Sequence, residues 1–267
     1  MLASLDMYAP APLRPAVDGF WAGLAKAMRA AGLSEVPHSL TWDADAAALW
    51  LSPDLLLAQT CGYPLTHALK GRVRLVATPC YDCPDSEGAD YRSLILVRSD
   101  DRIETLADLA GRRAAANGPD SQSGFSAFRH SIAPLARGRR FFSDVVWSGA
   151  HAASIDLLRD RAVDVCSVDC VTYHLLRHCQ PERLAGLRIL ARSAPAPGLP
   201  YITAGLADDD TLARLRQALF AAFADADLAA ARDALLLKGV EVLALSAYDR
   251  IVEMERAAQD LGYPALT

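Results

Sequence analysis

Strand-length apolar runs alternate with helical patterns along the whole chain, and this alternation constrains the fold more than any other feature. DLLLAQ (54–59) is a continuous apolar run, as expected of a strand covered on both faces. VRLVAT (73–78), YRSLILVR (91–98), RRAAAN (112–117), FFSDVVW (141–147), AVDVCSVD (162–169), LRILARS (187–193) and YITAGL (201–206) repeat the strand signal, and ASLDMY (3–8) opens it. Between these runs the period changes. Leu13, Val17, Phe20, Leu24, Met28 and Ala31 recur at i+3/i+4 and predict a helix over 12–32, stopped by Gly32. A short strand (39–42) and a short helix (44–51) follow. Further helices are predicted over 104–111, 123–136, 150–160 and 170–179, and the last 60 residues read as mostly helical. There, Ser246 with Asp249 resembles a capping box. Strands alternating with helices imply α/β architecture, with parallel sheets and helices on both faces. A length of 267 residues suits two sheet-centred lobes. The natural crossings are near residues 98 and 192, giving a first lobe from 1–98 and 192–267 and a second from 99–191. Ligands in such folds sit beyond the carboxyl ends of the strands.

Charge narrows the partners. The net charge is −5 and no long Lys/Arg run exists, so neither nucleic acid nor an anionic membrane is an expected partner. An anionic small ligand must then be held by local dipoles, against the global field. No apolar run of about 18 residues is present to span a membrane. The N-terminus, MLASLDMYAP, lacks the basic and apolar regions of a secretory leader, which implies a cytoplasmic chain unless a leader has been trimmed. Six cysteines (61, 80, 83, 166, 170 and 179) are too few for a dense disulfide framework. Cys80 and Cys83 form a lone CxxC, without the second pair of a structural zinc site; a loop disulfide or plain thiols are the simpler readings.

The stretch NGPDSQSGFSAFR (117–129) carries the main functional signal. A turn-forming run leads into Ser121-Gln122-Ser123-Gly124, and then Phe125, Phe128, Ile132 and Leu135 appear at helical spacing. These small residues sit where a strand ends and a helix begins. First-turn N–H groups have no intrahelical partners, and the helix dipole adds about half a positive charge there. Gly124 lets an oxyanion approach the backbone, and serine hydroxyls add donors. The Walker A lysine and the GxGxxG spacing are both absent, so nucleotide binding is not indicated. The plainer alternative is an N-cap, worth about 1 kcal/mol by itself. Other strand ends also carry polar or aromatic residues: Tyr8; Gln59, Thr60 and Tyr63; Ser148, Gly149 and His151; and Asp169. Each has its own plain reading, Tyr8 as a half-buried aromatic and Asp169 as a cap, but together they would ring one cleft.

The runs YRSLILVR, LADLAGRRAAAN, SQSGFSAFR, SGAHAASI and DVCSVDCVTY are similar, in order, to the phosphate/phosphite/phosphonate substrate-binding proteins of ABC transporters. The resemblance covers nearly the whole chain, and SxSG with SGxHxxS about 25 residues later is its most specific part. It implies a type II periplasmic-binding-protein fold, two α/β lobes with the ligand cleft between them. It implies that Ser121, Gln122 and Ser123 hold the oxyanion, that His151 is the cleft histidine, and that Asp169 faces the ligand's other side. Tyr8, Tyr63 and Tyr91 match cleft aromatics. Gln122 stands where a small hydroxyl residue is common, and QTCGYP (59–64) is typical of a divergent branch. The implied protein is a non-catalytic receptor for a phosphonate, phosphate or phosphite, periplasmic once a leader is removed, without a cofactor, and served by an ABC permease. Nothing in the sequence predicts a stable oligomer, so a monomer is the default expectation.

Two other readings stay open at this level. Cys61, His151 and Asp169 supply a nucleophile, base and orienter for a cytoplasmic enzyme on the same fold. Cys170, His174 and His178 lie at i, i+4 and i+8, a helical spacing that can ligate zinc.

Overall fold

The computed structural model describes residues 1–267. Its strands are β1 (Leu2–Ser4), β2 (Leu55–Gln59), β3 (Val73–Tyr81), β4 (Ser86–Glu87), β5 (Asp90–Tyr91), β6 (Ser93–Arg98), β7 (Arg113–Ala116), β8 (Asp144–Trp147), β9 (Val165–Asp169), β10 (Leu187–Arg192), β11 (Ala196–Pro197), β12 (Tyr201–Ala204) and β13 (Leu237–Glu241). The α-helices are α1 (Arg14–Ala30), α2 (Ala46–Trp50), α3 (Gly62–Thr66), α4 (Ala127–Ala136), α5 (His151–Arg159), α6 (Cys170–Cys179), α7 (Asp209–Ala224), α8 (Ala229–Ala234) and α9 (Asp249–Asp260). The chain divides into two compact units. Unit 1 comprises 1–82, 87–89 and 198–247; unit 2 comprises 83–86, 90–197 and 248–267.

Unit 1 is built on a sheet of order β1-β2-β12-β3-β13. All five residues of β2 are buried, as its uninterrupted apolar pattern requires. The helix α1 presents Val17, Phe20, Trp21, Leu24, Ala25 and Met28 on one buried stripe. It packs with α7, whose buried positions are Leu212, Leu215, Ala218, Leu219 and Ala222. Asp208 starts α7 by accepting a hydrogen bond from Thr211 N at 2.8 Å. Burying side chains of this size contributes roughly 1.5–3 kcal/mol each, which makes the α1–α7 seam a principal support of the unit.

Unit 2 is built on a sheet of order β10-β6-β9-β7-β8. The three alanines of β7 are fully buried. Their small side chains leave room for Phe128 and Ile132 of α4 and for Phe142, Val165 and Tyr263 in one core. The helices α4 and α9 are joined by a buried cation. Arg129, 2% exposed, donates to Glu255 on α9 at 3.2 Å and to Pro264 O at 2.5 Å, and its guanidinium lies 4.6 Å from the Phe125 ring centre.

Several expectations need correction. Both sheets are mixed. Only β1–β2 and β9–β7–β8 run parallel, whereas β12 is antiparallel to β2 and β3, β13 to β3, β6 to β9, and β10 to β6. The crossings near 98 and 192 shift to the segments around 82–90 and 197–198, because β6 and β10 both pair inside the second sheet. The C-terminal residues 248–267 join unit 2 instead of returning to unit 1, since α9 packs on α4. Residues 39–42 form no strand, and Phe141 and Phe142 lie outside β8, buried in the core with their N–H groups donating to Thr267 O. The strand β13 replaces part of the expected helical tail. Ser246 does not cap α9: a 3₁₀ turn over Leu245–Tyr248 puts Tyr248 at the N-cap with no side-chain cap. Leu135 is 39% exposed and does not belong to the buried face of α4.

Candidate functional site

In unit 2 the chain leaves β7 through Asn117–Asp120 and enters the helix at Ser121. The expected α-helix from 123 begins instead as a π turn over Gln122–Ser126, with Ser126 N donating to Ser121 O at 3.0 Å; regular α geometry starts at Ala127. Single π turns inside helices recur at functional sites. Ser121 caps the turn, its Oγ accepting from Gly124 N at 3.0 Å. Gly124 is required by space. A Cβ there would lie 1.9 Å from Asn117 Oδ1 and 3.2 Å from Asn117 N. Ser121, Gln122, Ser123 and Gly124 are all buried.

The neighbouring strand brings the histidine. The ladder of β7 and β8 continues past both strands, with Ser148 N donating to Ala116 O at 2.9 Å and Gly149 N to Asn117 O at 3.0 Å. Gly149 takes a positive φ of 84°, which turns the chain into α5 directly at His151. His151 Nε2 then lies 2.9 Å from Ser123 Oγ. From the third strand, Ser167 Oγ on β9 donates to Ser123 O at 2.8 Å and holds the π turn from behind. Burial pulls the His151 imidazole down to about 4, with the Ser167 backbone only partly opposing it, so the ring is neutral near pH 7. The outcome is a cluster of serine hydroxyls and one neutral imidazole at the start of the helix, groups that can hydrogen-bond an oxyanion.

Asp169 closes β9. It is 1% exposed, and its carboxylate accepts from Thr172 N at 2.9 Å as the N-cap of α6. The plain reading of Asp169 as a cap is therefore observed. Gln122 Nε2 donates to Met254 Sδ at 3.2 Å, which engages its amide with α9. Tyr91 is buried on β5, which pairs with β11 through Ala196.

Unit 1 carries the remaining candidates. Tyr8 ends a 3₁₀ turn after β1 and meets Tyr81 edge-on at 5.1 Å. Gln59, at the end of β2, donates from Nε2 to Tyr81 OH and to Leu199 O, both at 3.1 Å. Tyr63 on α3 stacks on His67 at 3.9 Å. Tyr8, Gln59, Tyr81 and Tyr201 line one small cavity inside this unit. Tyr81 and Tyr201 escape the sequence reading. Pro79 makes β3 look finished at Thr78, since proline seldom sits inside a strand, yet β3 runs on to Tyr81.

The alternative chemistries gain no support. Cys61 precedes α3 in unit 1. In unit 2, His151 is hydrogen-bonded to Ser123, and the Asp169 carboxylate caps α6. Cys170, His174 and His178 do share α6, but no group of three or more His, Cys, Asp or Glu side chains is placed to hold a metal ion. His174 lies 3.6 Å from Asp85, and His178 is exposed. All six cysteines are free thiols. Cys80 donates to Glu241 at 3.3 Å, and burial together with that carboxylate pushes its pKa up to about 12. No helix is long and apolar enough to cross a membrane.

With this geometry in hand, comparison with known proteins becomes specific. A family model described as ABC transporter, phosphonate, periplasmic substrate-binding protein matches residues 53–249. A binding protein component of an ABC phosphonate transporter from Pseudomonas aeruginosa superimposes with a TM-score of 0.78 at 16% identity, over 98% of this chain and 87% of that one. PhnD1 from Prochlorococcus marinus, solved in complex with methylphosphonate, gives a TM-score of 0.77 at 14% identity, over 97% of both chains. No curated protein sequence matches. At these identities the structural likeness establishes the fold, that of the type II periplasmic binding proteins.

Proposed function

Because the chain belongs to the phosphonate family of periplasmic substrate-binding proteins of ABC transporters, we propose that unit 2 holds the phosphorus oxyanion of a small ligand at the π turn that opens α4. Proteins of this family bind substrates for transport and are not enzymes. The observation that carries the proposal is the Ser123–His151 pair, 2.9 Å apart at the start of that turn. In the neutral tautomer that carries its proton on Nε2, the imidazole donates to Ser123 Oγ. The Ser123 hydroxyl proton is then free to point at the ligand. Ser121 supports the turn through Gly124 N, and Ser167 supports it through Ser123 O. A phosphonate group accepting several such bonds, worth roughly 1.5–3 kcal/mol each when charge-assisted, reaches micromolar affinity after ordering costs. Asp169 supplies the acid for a ligand carrying an amine, and an ABC permease is the partner that would receive the cargo.

The test is calorimetric titration with phosphate, phosphite, methylphosphonate, aminoethylphosphonate, sulfate and benzoate. One-to-one binding of a phosphorus oxyanion, weakened roughly 10- to 100-fold by Ser123→Ala, supports the proposal. Unchanged affinity in that variant removes the π turn from the site. Asp169→Asn keeps an N-cap residue on α6, so it isolates the charge. It should weaken aminoethylphosphonate and leave methylphosphonate alone; the reverse pattern would sink the amine-facing role.

A further inference from the structure

Two thiols of unit 2 converge on a single turn. The segment Cys83–Ser86 folds back on itself, with Ser86 N and Ser86 Oγ donating to Cys83 O at 3.2 and 2.8 Å. Cys83 Sγ lies 3.4 Å from Ser86 Oγ, and Cys170 Sγ, at the start of α6, lies 3.5 Å from Asp85 O of the same turn. The two thiols influence each other's ionisation, which is disfavoured at Cys170 and favoured at Cys83. The turn is pinned to its surroundings by charge as well. Asp85, at a positive φ of 86°, pairs with Arg192 and lies 3.6 Å from His174 Nε2. Cys166 is fully buried with burial alone acting on it, and Cys80 is turned toward Glu241.

We propose that Cys83 and Cys170 are a disulfide site, closed when the protein meets an oxidising disulfide such as a thiol–disulfide oxidoreductase or oxidised glutathione. Exposure sets the order of events. Cys83 retains 9% of its surface, whereas Cys170 retains 0%. Cys83 Sγ attacks one sulfur of the oxidant and expels one thiol, leaving a mixed disulfide. Cys170 Sγ then attacks Cys83 Sγ and expels the second thiol. Two protein thiols become one disulfide, and the oxidant is reduced to two thiols. The bond ties the 83–86 turn to the first residue of α6, directly after Asp169. Such oxidants are characteristic of the compartment in which this family works. The inference does not depend on which ligand the π turn holds, so a failed ligand titration leaves it intact.

The test compares the full chain after incubation with dithiothreitol and with oxidised glutathione. Thiol titration of the denatured protein should find all six cysteines in the reduced sample and two fewer in the oxidised one. Peptide mapping should recover a Cys83–Cys170 linkage. Cys83→Ser and Cys170→Ser should each abolish that linkage, and Cys80→Ala should preserve it. Oxidation should raise Tm by about 5–10 °C in the wild type and leave Cys170→Ser unmoved, because the bond closes a long loop. Six thiols surviving oxidation, a linkage that uses Cys80, or a crosslink that fails to raise Tm would each overturn the proposal.

Discussion

Gly124→Ala tests whether the π turn is as tightly set against the strand end as the geometry requires. The added methyl would lie 1.9 Å from Asn117 Oδ1, 2.9 Å from Asn117 Cγ and 3.2 Å from Asn117 N. The first two contacts force the Asn117 side chain to swing away. That oxygen is buried without a hydrogen-bond partner, so the swing breaks no bond, but it needs space in a packed wall. The third contact is with backbone and must be relieved by moving the turn itself. Alanine in a helical position is favoured over glycine by about 1 kcal/mol. Overpacking costs about 1–3 kcal/mol. The net expectation is a loss of about 1 kcal/mol, read as a lower urea midpoint at unchanged slope. Adding Asn117→Ala removes two of the three clashes and should return about 1 kcal/mol beyond additivity in a double-mutant cycle. If Gly124→Ala alone stabilises the protein, or if the two substitutions simply add, the close approach is not what selects glycine.

Two further outcomes follow from buried charge. His151 titrates near 4 in the folded protein, below the ordinary value of 6.5, so between these values the unfolded chain binds more protons. Stability should therefore be full above about pH 6.5 and fall as the pH drops toward 4, by roughly 3 kcal/mol in all, and His151→Gln should flatten that slope in pH-dependent urea melts. Arg129→Met removes a buried guanidinium from Glu255 and Pro264 O and should cost about 3–5 kcal/mol. The double variant with Glu255→Leu should recover most of it, and no recovery would mean that the pair contributes through something other than charge burial.

Much of the local structure is legible in the chain because it is set by local physics. The predicted helix over 170–179 coincides with α6, and the apolar run 54–59 is the fully buried β2. The residues SxSG also announce an open helix end. The sequence does not announce a π turn there, because the turn is held from a distant strand, by Ser167 of β9 through Ser123 O. Nor does it reveal that Ser123 and His151 meet. They are 28 positions apart and are joined only because the β7–β8 ladder continues through Ser148 and Gly149. The strand β13 is hidden for a similar reason. Leu-Lys-Gly-Val-Glu lacks a strong alternating pattern and becomes a strand by pairing with β3.

The sequence by itself determines the α/β class, the position of most elements and the Ser-Gln-Ser-Gly helix start, since period, capping and turn chemistry act over a few residues. Strand direction, the division of the chain into units, the meeting of Ser123 with His151 and the approach of Cys170 to the 83–86 turn are decided only in the tertiary structure. Each depends on which distant segments share hydrogen bonds and a core, and no short window of sequence contains both partners.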